Sequence, residues 1–188
     1  MVRVIAGTAK GRLLTAPKGM DTRPITSKIK EALFNIWQTQ IVDASFLDLF
    51  AGSGSMGIEA LSRGAKDVVF VEKDRRAVNV IKRNLSICNF NGKYEVFQDD
   101  VFRRIMWLKE RQRIFDIIYL DPPFTVDKIF LPVLNTLSDA GIFAEKGILA
   151  IRTKKEKELP GLIGTLELFK TKIYGISKVQ FYRRTEIL

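Results

Sequence analysis

Leu47-Asp48-Leu49-Phe50-Ala51-Gly52-Ser53-Gly54-Ser55-Met56-Gly57 is the stretch that decides the fold. It closes a short apolar run, turns through closely spaced glycines and opens onto helix-forming residues. Glycines at 52 and 54 permit positive φ and let a ligand approach the backbone. In open α/β sheets, that place at the carboxyl end of a strand is where ligands bind. Working outward, short apolar runs alternate with helical segments, the pattern of βαβ units around a parallel sheet. Strands are expected at 45–50, 67–72, 94–98, 114–120 and 146–152, and helices near 56–63, 74–88, 101–111 and 127–139. In the second of these helices Val78, Ile81, Leu85 and Cys88 share one face, which makes Cys88 a core residue rather than a reactive thiol. The runs Leu166 to Tyr174 and Ile176 to Arg184 meet at Gly175 with no room for a crossover helix, so they should pair antiparallel. The expected class is α/β: a mostly parallel, Rossmann-like, seven-stranded sheet ending in an antiparallel hairpin.

Ahead of that sheet, Val2-Arg3-Val4-Ile5-Ala6 and Arg12-Leu13-Leu14-Thr15-Ala16 flank Gly7, Lys10 and Gly11, which predicts a small basic hairpin. Ile29, Ala32, Leu33, Ile36 and Trp37 recur at helical spacing and predict a helix from about Thr26 to Gln40, with Lys28, Lys30 and Glu31 on or near solvent. A chain of 188 residues suits a single core. The expected plan is therefore an N-terminal hairpin extension over 1–24 followed by one domain over 25–188.

An apolar fraction of 46% and a charged fraction of 28% are those of a soluble protein. No apolar run approaches the roughly 20 residues of a membrane span. The start Met1-Val2-Arg3-Val4-Ile5-Ala6-Gly7 has no secretory signal pattern, so the expected compartment is the cytoplasm, away from any membrane. With one cysteine and no histidine, an internal disulfide, the usual zinc ligands and histidine acid–base catalysis drop out, and no metal is expected. Lys and Arg number 31 against 21 Asp and Glu, a net charge of +10 that makes a polyphosphate partner plausible.

Glu72 ends the strand after the glycine turn, where a carboxylate can accept both ribose hydroxyls of an adenosine, with Lys73 beside it. The next strand leads into Asp99-Asp100, where one carboxylate can take the adenine amino group and one can cap the following helix. Gly52, Gly54 and Gly57 formally satisfy the dinucleotide fingerprint, so spacing alone leaves a nicotinamide dinucleotide open. Asp48 and the Asp-Leu-Phe-Ala-Gly lead-in through Phe50 and Ala51 instead resemble the S-adenosylmethionine sites of methyltransferases, with Asp48 near the amino-acid end of the cofactor.

Asp121-Pro122-Pro123-Phe124 follows the apolar run Ile117-Ile118-Tyr119-Leu120 at the same end of the sheet. Two successive prolines fix φ and remove two backbone donors, leaving carbonyls to face a ligand. Asp121 and the Pro122 carbonyl can accept the two N–H bonds of a ring-conjugated amine, with Asp121 also bordering the cofactor. Phe124 offers a face for base stacking. A base inside a duplex or stem would first be flipped out.

Together these residues resemble the RsmD-type family, the bacterial small-subunit (16S) ribosomal RNA guanine-N2 methyltransferases. The likeness runs through Arg3-Val4-Ile5-Ala6-Gly7 with Gly11-Arg12, Asp21-Thr22-Arg23-Pro24, Glu31-Ala32-Leu33-Phe34-Asn35-Ile36, the glycine turn, Val71-Glu72-Lys73-Asp74 and Asp121-Pro122-Pro123-Phe124. It implies a class I fold, S-adenosylmethionine as cofactor, and small-subunit RNA or an assembling 30S particle as partner; a monomer is the default expectation. It also implies that Arg3, Lys10, Arg12, Arg23 and Lys28 face RNA. Two positions depart from the family: Phe124 stands where tyrosine is commoner, and Ile151-Arg152-Thr153-Lys154-Lys155 stands where an acidic residue is usual. Adenine N6 of DNA or RNA and a glutamine amide present similar amines to such a site, and a non-catalytic RNA-binding module is the reading from another class.

Overall fold

The computed structural model describes residues 2–17 and 25–185. In chain order it comprises β1 (Val2–Arg3), β2 (Leu13–Leu14), α1 (Ser27–Ile36), β3 (Ser45–Leu49), α2 (Ser55–Ser62), β4 (Asp67–Glu72), α3 (Arg75–Ile87), β5 (Tyr94–Gln98) and α4 (Val101–Glu110). There follow β6 (Phe115–Leu120), a 3₁₀ turn (Asp127–Ile129), α5 (Phe130–Ala140), β7 (Phe143–Lys154), β8 (Leu162–Ile163), β9 (Leu166–Tyr174) and β10 (Ser177–Arg184). The main sheet has the order β5-β4-β3-β6-β7-β10-β9-β8. Strands β5 to β7 are parallel, and β10 is antiparallel to both β7 and β9. Chain order reverses between β3 and β6, the place where an open sheet forms its crevice.

Among the described residues the sheet has eight strands where seven were expected. The extra strand, β8, is two residues long and pairs with β9 at the edge, too short to show a period of two. Short edge strands blunt an open sheet against pairing with other chains. Helix α1 begins as expected, with the Thr26 hydroxyl accepting from the Ile29 N–H at 3.3 Å, but ends at Ile36 rather than Gln40. Gln40 N–H turns back onto the Trp37 carbonyl, while Trp37 and Ile41 stay buried, so the apolar spacing outruns the helix. The helix expected from 127 starts as a 3₁₀ turn, and Pro132 sits in the first turn of α5, where its missing N–H costs nothing.

Strand alternation sorts the core into two layers. Phe46, Phe70, Ile117, Tyr119 and Ala150 pack beneath α1, α2 and α3, with Leu33, Ile58 and Ile81. Leu47, Val69, Ile118, Leu149 and Ile151 pack beneath α4 and α5, with Ile105 and Leu134. The period of two therefore sends Asp48, Glu72, Asp121 and Arg152 to the face of the first layer, all at the carboxyl ends of their strands. Cys88 is buried in that same layer. Gly57 lets α2 settle on the sheet, since a Cβ there would lie 2.2 Å from a Phe70 ring carbon. Gly57→Ala should lower stability by about 1–3 kcal/mol, as overpacking does; an unchanged denaturation midpoint would show that the ring can give way.

Lys30 departs most from expectation. It is fully buried rather than near solvent, its Nζ 3.1 Å from Glu59 Oε2 and donating to the Arg3 carbonyl at 2.8 Å. Glu59 also accepts the Ile5 and Ala6 N–H groups at 2.8 and 3.0 Å and Arg63 Nε at 2.8 Å. Burial lowers the Lys30 pKa, and Glu59 opposes that shift. The sequence pattern showed a polar position on a helix; it could not show that the hairpin folds over that face and supplies a carbonyl.

Candidate functional site

A cavity of about 280 Å³ opens over the carboxyl ends of β3, β4 and β6, close to the lower end of the range usual for small-molecule sites. Its floor is the glycine turn. Phe50, Gly52 and Gly54 are left-handed, with φ of 62°, 56° and 75°. For Phe50 that conformation is strained, and such strain concentrates at functional sites. Asp48 lies beneath the turn and accepts the Gly57 N–H at 3.0 Å, tying the strand to the start of α2. Burial pushes its acid well above the usual carboxylate value, against that hydrogen bond. Glu72 spans two backbone amides, accepting from Gly52 N–H at 2.8 Å and Asp74 N–H at 2.9 Å. The carboxylate is thus held rigid at the rim while each oxygen keeps a second acceptor position.

Of the two aspartates after β5, Asp100 borders this cavity, while Asp99 borders an adjoining depression with Lys73, Gln98, Asp100 and Arg103. Asp100 caps α4 by accepting the Phe102 N–H at 3.0 Å. Asp99 accepts Arg103 Nε at 2.6 Å and Arg104 Nη2 at 2.7 Å. Burial raises the Asp99 acid, but hydrogen bonds from Arg103, the Asp100 N–H and Arg104 outweigh it and leave the pKa below the usual value. Phe50, Ala51, Gly52 and Lys73 all border the cavity. Polar groups at the strand ends and apolar walls from Val71, Val101 and Ile129 fit an adenosine, with the acidic Asp48 and Asp121 toward its far end.

That far end is the Asp-Pro-Pro-Phe corner. The β6–β7 register pairs Tyr119 with Ala150 and Leu120 with Ile151, so the next step sets Asp121 beside Arg152. Arg152 Nε donates to Asp121 Oδ1 at 2.8 Å, and the Tyr119 hydroxyl donates to Oδ2 at 3.3 Å. Burial raises the Asp121 acid, while the Arg152 charge and both hydrogen bonds oppose the shift. Pro123 borders the cavity, Pro122 is buried, and Phe124 is half-buried with the Arg152 guanidinium 5.0 Å from its ring centroid.

Arg3, Lys10, Arg12 and Lys28 are exposed on the hairpin and α1, and no ion pair among the described residues engages them. Arg23 lies outside the described residues. One contribution escaped the sequence reading: Ala16, Pro17 and Ile25, which flank the Thr-Arg-Pro segment, line the cavity themselves. Asn84 of α3 anchors that wall, donating to the Thr15 and Ser53 carbonyls at 2.9 Å and accepting the Thr15 N–H at 2.9 Å. A buried asparagine inside a helix was the available signal. The pairing of Arg152 with Asp121 was legible only once β6 and β7 were known to be neighbours in register.

The sheet order with its antiparallel end, and a cavity over the glycine turn, define a Rossmann-like class I methyltransferase fold. The chain belongs to the RsmD family of S-adenosylmethionine-dependent methyltransferases, whose model, described as "Conserved hypothetical protein 95", matches residues 2–183. It is 36% identical over 183 residues to the Bacillus subtilis protein YlbH, covering 97% of this chain and 99% of that one. It is 32% identical over 183 residues to "Ribosomal RNA small subunit methyltransferase D" of Escherichia coli, covering 97% and 90%. The solved structure of yhhF from Escherichia coli superposes with a TM-score of 0.85 at 32% identity, covering 98% of each chain.

Proposed function

We propose that this chain methylates the exocyclic N2 amine of a guanine in small-subunit ribosomal RNA, acting as a monomer on naked RNA or an assembling 30S particle in the cytoplasm. The observation that carries this reading is the Asp121 corner, which borders a cavity over the glycine turn whose wall continues through Ala16 and Pro17 into an exposed basic hairpin. When bound, S-adenosylmethionine supplies an electrophilic methyl group on a sulfonium. Glu72 takes the ribose hydroxyls, Asp100 the adenine edge, and the turn from Phe50 to Gly54 the amino-acid end, with Asp48 securing the turn from below. Asp121 and the Pro122 carbonyl accept the two N–H bonds of the amine, so its lone pair turns out of conjugation and toward the methyl group. Phe124 stacks on the base. As the C–N bond forms the C–S bond breaks, the sulfonium leaves as a neutral thioether and the proton lost from the amine passes along its hydrogen bond to Asp121 and on to solvent, so orientation and fixed electrostatics provide most of the acceleration without a strong base. Arg3, Lys10, Arg12, Arg23 and Lys28 hold the RNA backbone.

The name of the Escherichia coli relative and the family both support ribosomal RNA over DNA or protein as acceptor. Labelled methyl transfer to small-subunit RNA, naked and bound to ribosomal proteins, followed by nucleoside analysis, should place the label on guanine N2. Label on adenine or cytosine would overturn the base assignment, and no transfer to either RNA form would overturn the substrate.

A further inference from the structure

We propose that Arg152 is the positioning residue of this site: its guanidinium fixes the Asp121 carboxylate in the orientation and charge state in which it receives the acceptor amine. This rests on the role given above to Asp121. The geometry is that of a buried pair, with 5% of the Arg152 side chain and 17% of the Asp121 side chain exposed and Nε to Oδ1 at 2.8 Å. An ionised carboxylate offers about four lone-pair positions. Arg152 takes one on Oδ1 and Tyr119 takes one on Oδ2, and the incoming amine uses a position that neither of these fills. The guanidinium also lies 5.0 Å from the centroid of the Phe124 ring, a cation–π contact that joins it to the base platform. Base platform, acceptor carboxylate and its orienting cation are therefore one assembly.

Charge makes the same point. Facing Asp121 are the Tyr119 hydroxyl on its own strand, Asp48 from β3 with Glu72 beyond it on β4, and Arg152 from β7. Burial favours a protonated Asp121, and the Arg152 charge with the hydrogen bonds from Arg152 and Tyr119 opposes it. A protonated acid would present a donor to an amine that is itself a donor. Removing Arg152 should raise the Asp121 pKa further, so the ionised fraction at a given pH falls and the acid limb of the rate profile moves to higher pH.

The experiment is a pH profile of kcat/KM for methyl transfer from S-adenosylmethionine to small-subunit RNA by the full chain, carrying Arg152→Met or Arg152→Lys. Arg152→Met should lose about 10²-fold near neutral pH, the scale expected of a misplaced reacting group, and recover as pH rises. Arg152→Lys keeps the cation but not the planar fork, so it should restore the position of the limb and only part of the rate. An unmoved limb in a folded Arg152→Met protein would overturn the proposal, whether or not the rate falls. Should that variant not fold, Arg152→Met/Asp121→Asn removes both charges and is compared with Asp121→Asn alone. Equal activities support the proposal, and an additive further loss overturns it. Full activity in Asp121→Asn alone would instead defeat the role of Asp121, separately from that of Arg152.

Discussion

Asp121→Asn should lower kcat for methyl transfer by about 10²–10³-fold, the scale of losing one preorganised hydrogen-bonding group at a reacting centre, while S-adenosylmethionine affinity stays within a few-fold. The amide keeps the shape of the carboxylate but has one acceptor oxygen, and Arg152 at 2.8 Å claims it. The amide NH₂ is then left facing the acceptor amine, donor against donor. Cofactor binding is spread over the glycine turn, Glu72 and Asp100, so it survives. Asp121→Ala removes transfer as well, but breaks a largely buried ion pair from one side, a defect costing about 3–5 kcal/mol. The asparagine variant is therefore the cleaner kinetic test. Single-turnover rates and equilibrium cofactor binding separate the two terms, and wild-type turnover in Asp121→Asn would remove this residue from the mechanism.

Glu59→Ala should destabilise the fold by about 3–5 kcal/mol, the cost of breaking a buried ion pair from one side. For a chain of this length that corresponds to a fall of roughly 10 °C in Tm. Four donors converge on this carboxylate: the Ile5 and Ala6 amides, Lys30 and Arg63. Its loss strands the Lys30 ammonium and frees both hairpin amides at once. Amide exchange at Ile5 and Ala6 should quicken by far more than at the β3 core, so the hairpin loosens before the sheet does. Lys30→Met should cost less, because Glu59 keeps Arg63 and both amides. If Glu59→Ala and Lys30→Met melt together at the wild-type temperature, the carboxylate is not what clips the hairpin down.

The connection between that clip and the site is continuous. From the hairpin the chain runs through Thr15, held by Asn84, to Ala16 and Pro17 in the cavity wall, and Asn84 also holds Ser53 of the glycine turn. The surface read as RNA-facing and the floor read as cofactor-facing thus share one side chain.

Much of this was legible in the chain itself. The strand and helix positions followed from periodicity because each βαβ unit buries its apolar residues locally. Asp48, Glu72, the Asp99-Asp100 pair and Asp121 could be placed at one edge of the sheet because parallel strands in such a fold deliver their last residues there, whatever the details of packing, and all of them but Asp99 border the cavity. Ends of elements were less legible: α1 ran on in the sequence to Gln40 because Trp37 and Ile41 continue its apolar face after the helix has stopped. What only the tertiary structure decided concerns residues distant in sequence. Whether Lys30 is solvated depends on the hairpin folding over it, and which of Asp99 and Asp100 faces the cavity depends on Arg103 and Arg104 claiming the other. Arg152 read as extra charge at the end of a strand; the register of β6 against β7 makes it the partner of Asp121. Local patterns report which groups reach an edge, because burial is enforced strand by strand. They do not report which charges meet there, since that is set by strand order and by the low dielectric that forces buried charges to pair.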